Sequence, residues 1–353
     1  MRSALQPPAT DPTPIFEQFR GSYGSELLTA AIAHFDLFGR LHRSPLTFSE
    51  LAQGLGLKSR PAHVLVTALR AMDLICETDG RLSLTEMAEE HLVPGGKFDV
   101  GNYVGLAAQA PGVLGMVELL KSNTPLGSDG AGSGTAFIYR DGMESAMEAE
   151  ESARHLTLAL SGRAKNVAPA LAEAVPLADA KVLLDVGGGT GIYSFAMLQK
   201  NADLTAVVFD RPEVLKVAEE MGREYGVLDR VELMPGDMFV DPLPSNADVV
   251  LLSNILHDCD VPECQQLVSR CAGALGNGAL GDGGRLLVHD VFLNDELDGP
   301  LPIALYSAAL FSLTEGRAYS AAEYRSWLES AGLVCAPIAP TGVHCGVLAG
   351  SRR

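Results

Sequence analysis

The sequence predicts an α/β protein, with a helical N-terminal domain followed by a parallel sheet covered on both faces. Three observations carry that expectation. Helical periodicity and a helix–turn–helix–hairpin pattern fill residues 15–84; from 181 onward, short apolar runs alternate with amphipathic segments; and a glycine turn follows the first of those runs. At 353 residues the chain exceeds one ordinary core, which implies two domains.

Residues 1–14 read as a disordered lead-in lacking a signal-peptide core. Over 15–45, Phe16, Phe19, Leu27, Leu28, Ile32 and Leu37 recur at threes and fours, the spacing of a helix face. Ser49 is the expected N-cap of a short helix, and a turn at Gly56 and then Pro61 lead into a second helix running through Leu74. Residues 75–84, interrupted by Asp79-Gly80, predict a β-hairpin. That order is a winged-helix pattern, yet Lys58, Arg60 and Arg70 are sparse around its second helix, which argues against DNA binding. Residues 110–175 are mostly helical in pattern, broken by a Gly/Ser-rich stretch at 127–134.

Strands are expected at 181–186, 204–209, 231–234, 247–252 and 285–291, separated most clearly by amphipathic helices at 213–225 and 262–275. A helix at 320–331 precedes two runs, 333–339 and 343–349, read as an antiparallel hairpin turning at 340–342 on the sheet edge. The repeat of Gly-Ala-Leu-Gly within 273–284 is expected to be an extended, flexible loop.

Composition excludes several function classes. The net charge of −18 repels nucleic acid and anionic membranes, and no apolar run approaches a membrane span. The six cysteines (76, 259, 264, 271, 335 and 345) form no CxxC pair and no zinc spacing, the pattern of free thiols in a cytoplasmic protein.

The chemistry concentrates at the strand ends. In Leu183-Leu-Asp-Val-Gly-Gly-Gly-Thr-Gly191 a strand runs into a glycine turn before a helix, where open parallel sheets bind nucleotides. Gly187, Gly188 and Gly189 let a ligand approach the backbone. Counting from Gly187, a dinucleotide fingerprint would end on Ile192 rather than a small residue. Asp185 would also oppose a pyrophosphate, whereas it suits S-adenosylmethionine, which carries an ammonium, a sulfonium and no phosphate. Asp210 ends the second strand and is placed to accept ribose hydroxyls. Asp237, in Pro-Gly-Asp-Met-Phe, is placed to accept an adenine amino group, with Met238 or Phe239 covering the ring.

The ordered set Asp-Val-Gly-Gly-Gly-Thr-Gly, Phe-Asp-Arg-Pro, Gly-Asp-Met-Phe and Leu-His-Asp resembles the S-adenosylmethionine-dependent small-molecule O-methyltransferases, including plant caffeate and flavonoid, acetylserotonin, and bacterial antibiotic or pigment enzymes. The resemblance spans nearly the whole chain. It implies a Rossmann-like class I methyltransferase domain at 176–353, with a seven-stranded sheet and an antiparallel C-terminal hairpin. Before it would come a winged-helix-like dimerisation domain at 15–105 and a helical segment at 106–175 that helps form the acceptor pocket. It also implies a homodimer, a small-molecule acceptor, S-adenosylhomocysteine as product, and no metal.

By the same resemblance His257 matches the general base of the family's Leu-His-Asp-Trp motif. The chemistry agrees: a phenol has a pKa of roughly 10, and an imidazole with a free pKa of roughly 6.5 is largely neutral and able to take its proton. Asp290 matches an acid that orients the histidine, Ala318 stands where a second acid often sits, and Cys259 replaces an aromatic. Ser253 matches a cofactor contact. Asp258 is an alternative cap for the helix near Pro262, and His289 is expected on the opposite strand face from Asp290. His155 and Arg163 are either surface residues or approach the acceptor or the cofactor carboxylate. Trp327 is read as core. Met143, Met147, Tyr306 and Phe311 are read as core or as pocket lining. Three other functions stay open: carbon or nitrogen methylation on the same scaffold, a non-catalytic cofactor-binding regulator, and a dinucleotide oxidoreductase.

Overall fold

The computed structural model describes residues 2–124, 150–276 and 283–352. The stretch 127–134, Met143, Met147 and residues 277–282 of the 273–284 repeat lie outside the described residues. The chain forms two compact units, one of Met1–Phe16, Phe137–Phe292 and Ala321–Arg353, the other of Glu17–Ala136 and Leu293–Ser320.

The second unit is helical. Helices Gly24–Ala33, Ser59–Ala71, Pro111–Ser122 and Leu301–Leu313 surround a core that includes Leu27, Leu65, Leu69, Leu120 and Phe311. The 15–45 stretch is not continuous: a 3-10 turn at Gly21–Tyr23 and a left-handed Asp36 (φ 47°) break it. Helix Phe48–Leu55 is capped by Thr47, not by the expected Ser49. Thr47 is extended, its side chain accepts from the Glu50 N–H at 3.2 Å, and Glu50 returns the bond to the Thr47 N–H at 2.8 Å. Ser49 already lies inside the helical turn. Helix Ser59–Ala71 stops short of Leu74 because Asp73 turns left-handed (φ 59°). The hairpin β1 (Ile75–Thr78) and β2 (Arg81–Leu84) closes through Asp79 and Gly80, both at positive φ, the conformation that suits a two-residue turn.

The first unit is a sheet of eight strands: β3 (Val182–Val186), β4 (Thr205–Asp210), β5 (Val231–Pro235), β6 (Val249–Ser253), β7 (Arg285–Val291), β8 (Leu333–Cys335), β9 (Ala339–Gly342) and β10 (Cys345–Arg352). Seven strands run in the order β5-β4-β3-β6-β7-β10-β8, and an eighth beyond the expected seven, β9, pairs with β10 off that path. Strands β3 to β7 are parallel and β10 is antiparallel to β7. The C-terminal turn falls at Val343 and His344, both left-handed, rather than at 340–342, which forms β9. Pro340 is tolerated there because β9 pairs on one side only. The strand order reverses between β4 and β6 around β3, so the carboxyl ends of these strands open a crevice for a ligand. Among the described residues no single helix is long and apolar enough to cross a membrane.

Candidate active site

Each of the parallel strands carries a polar side chain at or just beyond its carboxyl end. Strand β3 is aliphatic apart from Asp185, whose side chain is fully buried. One Asp185 oxygen accepts from Ser194 at 2.6 Å, and the other, Oδ1, has no hydrogen-bond partner among the described residues. Burial pushes its pKa up to about 7, aided by the charge of Asp210 and opposed by the Ser194 bond. Directly after it the chain turns through Gly187 (φ 69°) and Gly189 (φ 58°). A methyl group on Gly187 would lie 2.5 Å from Ile255 Cδ1, and one on Gly188 would lie 2.8 Å from Asp185 Cγ. At Gly189 nothing lies within 4 Å, so the turn presents open backbone.

Asp210, at the end of β4, accepts the Gly189 N–H at 2.8 Å and the Arg211 N–H at 2.7 Å, which ties the second strand to the glycine turn. Burial raises its pKa against those two bonds. Asp237 follows β5. Its carboxylate receives the Arg211 guanidinium at 3.0 Å and caps the Phe239 N–H at 2.8 Å. Met238 and Phe239 are half-buried, and the Met238 sulfur lies 3.8 Å from where a Gly187 methyl would be. The Met238 and Phe239 carbonyls accept from Arg270 and Gln266, so helix Val261–Ala274 fixes this loop.

Strand β6 ends in Ser253, and a 3-10 turn at Leu256–Asp258 then carries His257. His257 is only 3% exposed. Its Nδ1 lies 2.5 Å from Asp290 Oδ1 on β7, and its Nε2 lies 3.6 Å from Asp258 Oδ1. The aspartate therefore reaches the histidine. Asp290 Oδ1 also accepts the Val291 N–H at 2.8 Å, and Oδ2 accepts the Tyr324 hydroxyl at 3.0 Å. Burial works against charge on His257, but the carboxylates of Asp290 and Asp258 outweigh both burial and Arg163, so its pKa rises above 6.5. On Asp290, burial is outweighed by the charge and hydrogen bond of His257, and its pKa falls. Asp258 is pushed up to about 6, mainly by burial.

Several expectations resolve differently at this level. Asp260, not Asp258, caps helix Val261–Ala274, accepting the Val261 N–H at 2.8 Å. Asp260 has the extended backbone of a cap, whereas Asp258 belongs to the 3-10 turn. The Ser253 hydroxyl is 2.8 Å from His289 Nδ1 and accepts from Asn254, and His289 Nε2 is 2.9 Å from Thr341. His289 is fully buried, mainly for which reason its pKa drops to about 3 and its ring is neutral. Cys259 is buried, Trp327 is core and His155 is exposed. Ala318, Tyr306 and Phe311 lie in the helical unit. Tyr324 escaped sequence reasoning, since nothing local links it to a strand residue 34 positions away. Arg163, half-exposed on helix Glu150–Ala174, acts electrostatically on His257, Asp290 and Asp258.

Comparison with known proteins bears on this geometry. Residues 133–334 match the family model of the O-methyltransferase domain. A 3-hydroxy-5-methyl-1-naphthoate 3-O-methyltransferase of Streptomyces sahachiroi is 34% identical over 94% of this chain and 92% of its own length. An L-tyrosine C(3)-methyltransferase of Streptomyces lavendulae is 29% identical over 88% of this chain and 84% of its own. Among solved structures, an O-methyltransferase family 2 protein of Planctomyces limnophilus in complex with apigenin superposes with a TM-score of 0.88 at 46% identity, covering 100% of this chain and 99% of that one. Human N-acetylserotonin methyltransferase in complex with S-adenosylmethionine shares the fold at 22% identity and a TM-score of 0.58, over 98% of this chain and 99% of that one.

Proposed function

Since this chain belongs to the S-adenosylmethionine-dependent O-methyltransferases, we propose that it methylates a hydroxyl of a small aromatic acceptor, with His257 as general base. The observation that carries the reading is the buried His257–Asp290 contact at 2.5 Å. A carboxylate on Nδ1 fixes the tautomer with the proton on that nitrogen and leaves the Nε2 lone pair to take the acceptor's O–H proton. The imidazolium that forms is then stabilised by Asp290 and Asp258. Two relatives support this acceptor class, one named for a hydroxynaphthoate and one crystallised with apigenin, both flat aromatic molecules.

The residues fit the cofactor. Asp185 offers a buried oxygen lacking a partner, and the glycine turn is open at Gly189 while a side chain at Gly187 or Gly188 would clash. Asp185 and the backbone of Gly187, Gly188 and Gly189 would hold the amino-acid end, Asp210 the ribose, and Asp237 with Met238 and Phe239 the adenine. Ser253 would act behind them through His289 and Asn254. Bound there, the cofactor supplies a methyl group on a sulfonium sulfur, an electrophile needing no metal. The helical unit, with its helix–turn–helix–hairpin order and exposed Phe19, Tyr103 and Leu106, would serve as a winged-helix-like homodimerisation surface. A cytoplasmic location accords with six cysteines that are in the thiol form rather than in disulfides.

Carbon methylation is the second reading, favoured by the tyrosine C(3)-methyltransferase relative. Incubation with S-adenosylmethionine and a panel of phenols, followed by mass spectrometry and NMR of the products, separates the two. O-methyl ethers are expected, and ring-methylated products alone would overturn the O-methyl reading. His257→Ala should lower kcat by at least ~100-fold, and a loss of only a fewfold would remove the base assignment.

A further inference from the structure

The Tyr324 hydroxyl donates at 3.0 Å to Oδ2 of Asp290, the aspartate whose Oδ1 meets His257. Tyr324 is 1% exposed and stands on helix Ala321–Ser330. Its ring is held edge-on against Phe292 at 5.0 Å and Trp327 at 5.3 Å, so the phenol enters from a packed aromatic cluster. Asp290 is equally buried, at 1%. Its two oxygens receive three donors: the Val291 N–H and His257 on Oδ1, and the Tyr324 hydroxyl on Oδ2.

We propose that Tyr324 is a positioning residue for methyl transfer, its hydroxyl holding Asp290 ionised and aimed at His257 Nδ1. This inference rests on the assignment of His257 as base. An aspartate carries one methylene between backbone and carboxylate, so the rotation of that carboxylate about its last bond decides which lone pair meets the imidazole. A fixed donor on Oδ2 and a backbone N–H on Oδ1 leave one rotation that satisfies both, and that rotation presents Oδ1 to His257. Without the phenol, Oδ2 is a buried anionic acceptor with one fewer donor, a costly state in low dielectric. The carboxylate then either rotates away or takes up a proton, which it donates to His257 Nδ1. In both outcomes Nδ1 loses its carboxylate acceptor, and the tautomer with the proton on Nε2 is no longer disfavoured.

The charged and titratable groups around the pair are Asp258 and Cys259 on the same turn, Arg163 on helix Glu150–Ala174, His289 on β7, and Cys345 on neighbouring β10. A hydroxyl donating to Asp290 favours the state with neutral imidazole and charged carboxylate over the state carrying one more proton. Removing it therefore raises the apparent pKa of the pair, and the acid limb of the rate profile moves to higher pH.

The test is Tyr324→Phe, which keeps the ring and deletes the donor. On whichever phenol the panel identifies, kcat at the high-pH plateau should fall about tenfold with KM for cofactor and acceptor unchanged, the size of one charge-assisted bond. The acid limb should shift upward by about half a unit to one unit. Placing 3-fluorotyrosine at position 324, a stronger donor, should shift the limb downward. In an Asp290→Asn background, Tyr324→Phe should change nothing further. If the parent depends on His257 while Tyr324→Phe keeps both kcat and the acid limb, this inference alone is overturned. If Tyr324→Phe does not fold, the fluorotyrosine protein decides, and an unmoved limb there overturns it equally. Retention of activity by His257→Ala would instead overturn the base assignment.

Discussion

At the scale of single residues, Asp185 carries the sharpest consequence. It is a carboxyl group with one oxygen bonded to Ser194, one without a partner among the described residues, and a pKa raised by burial to about 7. In the ligand-free protein it therefore holds its proton below about pH 7. A ligand bringing an ammonium group to Oδ1 stabilises the charged form and lowers that pKa. Cofactor binding at pH 6 should then release a proton, while binding at pH 8 should release almost none, because the group is already ionised. Calorimetry in two buffers of different ionisation heat measures this directly, and Asp185→Asn should abolish the release. Equal proton release at pH 6 and pH 8 would disprove the arrangement. Asp185 was legible in the sequence because its place two residues before a glycine turn depends only on the strand reading. Its lone oxygen was not legible, since that depends on where Ser194 points.

Secondary-structure elements show why some of the molecule reads directly from sequence and some does not. The five parallel strands lie within a few residues of their predicted limits because aliphatic runs between amphipathic helices leave no other assignment. Caps are harder, because Thr47 and Ser49 are equally suitable types and only the backbone angle decides between them. The angle selects Thr47. Thr47→Ala should lower the unfolding free energy by about 1 kcal/mol in urea melts, whereas Ser49→Ala should change it by only a few tenths. Equal losses at both would refute the capping box. The candidate site divides the same way. Asp210, Asp237 and His257 follow strands and could be placed from order alone. Tyr324 and Arg163 come from helices far along the chain, and only the packing of those helices on the sheet brings them to Asp290. The turn at Val343 and His344 was hidden because Val343 is β-branched and so an unusual left-handed type.

Across the whole molecule, the backbone passes between the two units four times, near residues 16, 136, 292 and 320. Helix Leu301–Leu313 contributes Phe311 and Ala308 to the core built mainly by residues before 121. A fragment ending at residue 136 lacks that helix, so it should show no cooperative unfolding transition by circular dichroism, and adding a peptide of residues 293–320 should restore one. A cooperative melt of the fragment alone would show that the helix is dispensable. The interleaving also constrains how relatives of this chain can diverge. A single genetic crossover between two parents pairs one parent's first helices with the other's Leu301–Leu313, and mismatched side chains then meet in one core. Crossovers at all four junctions, near residues 16, 136, 292 and 320, keep both units intact. Recombination that respects this protein's cores must therefore exchange its helical unit as two separate pieces of sequence, inherited together.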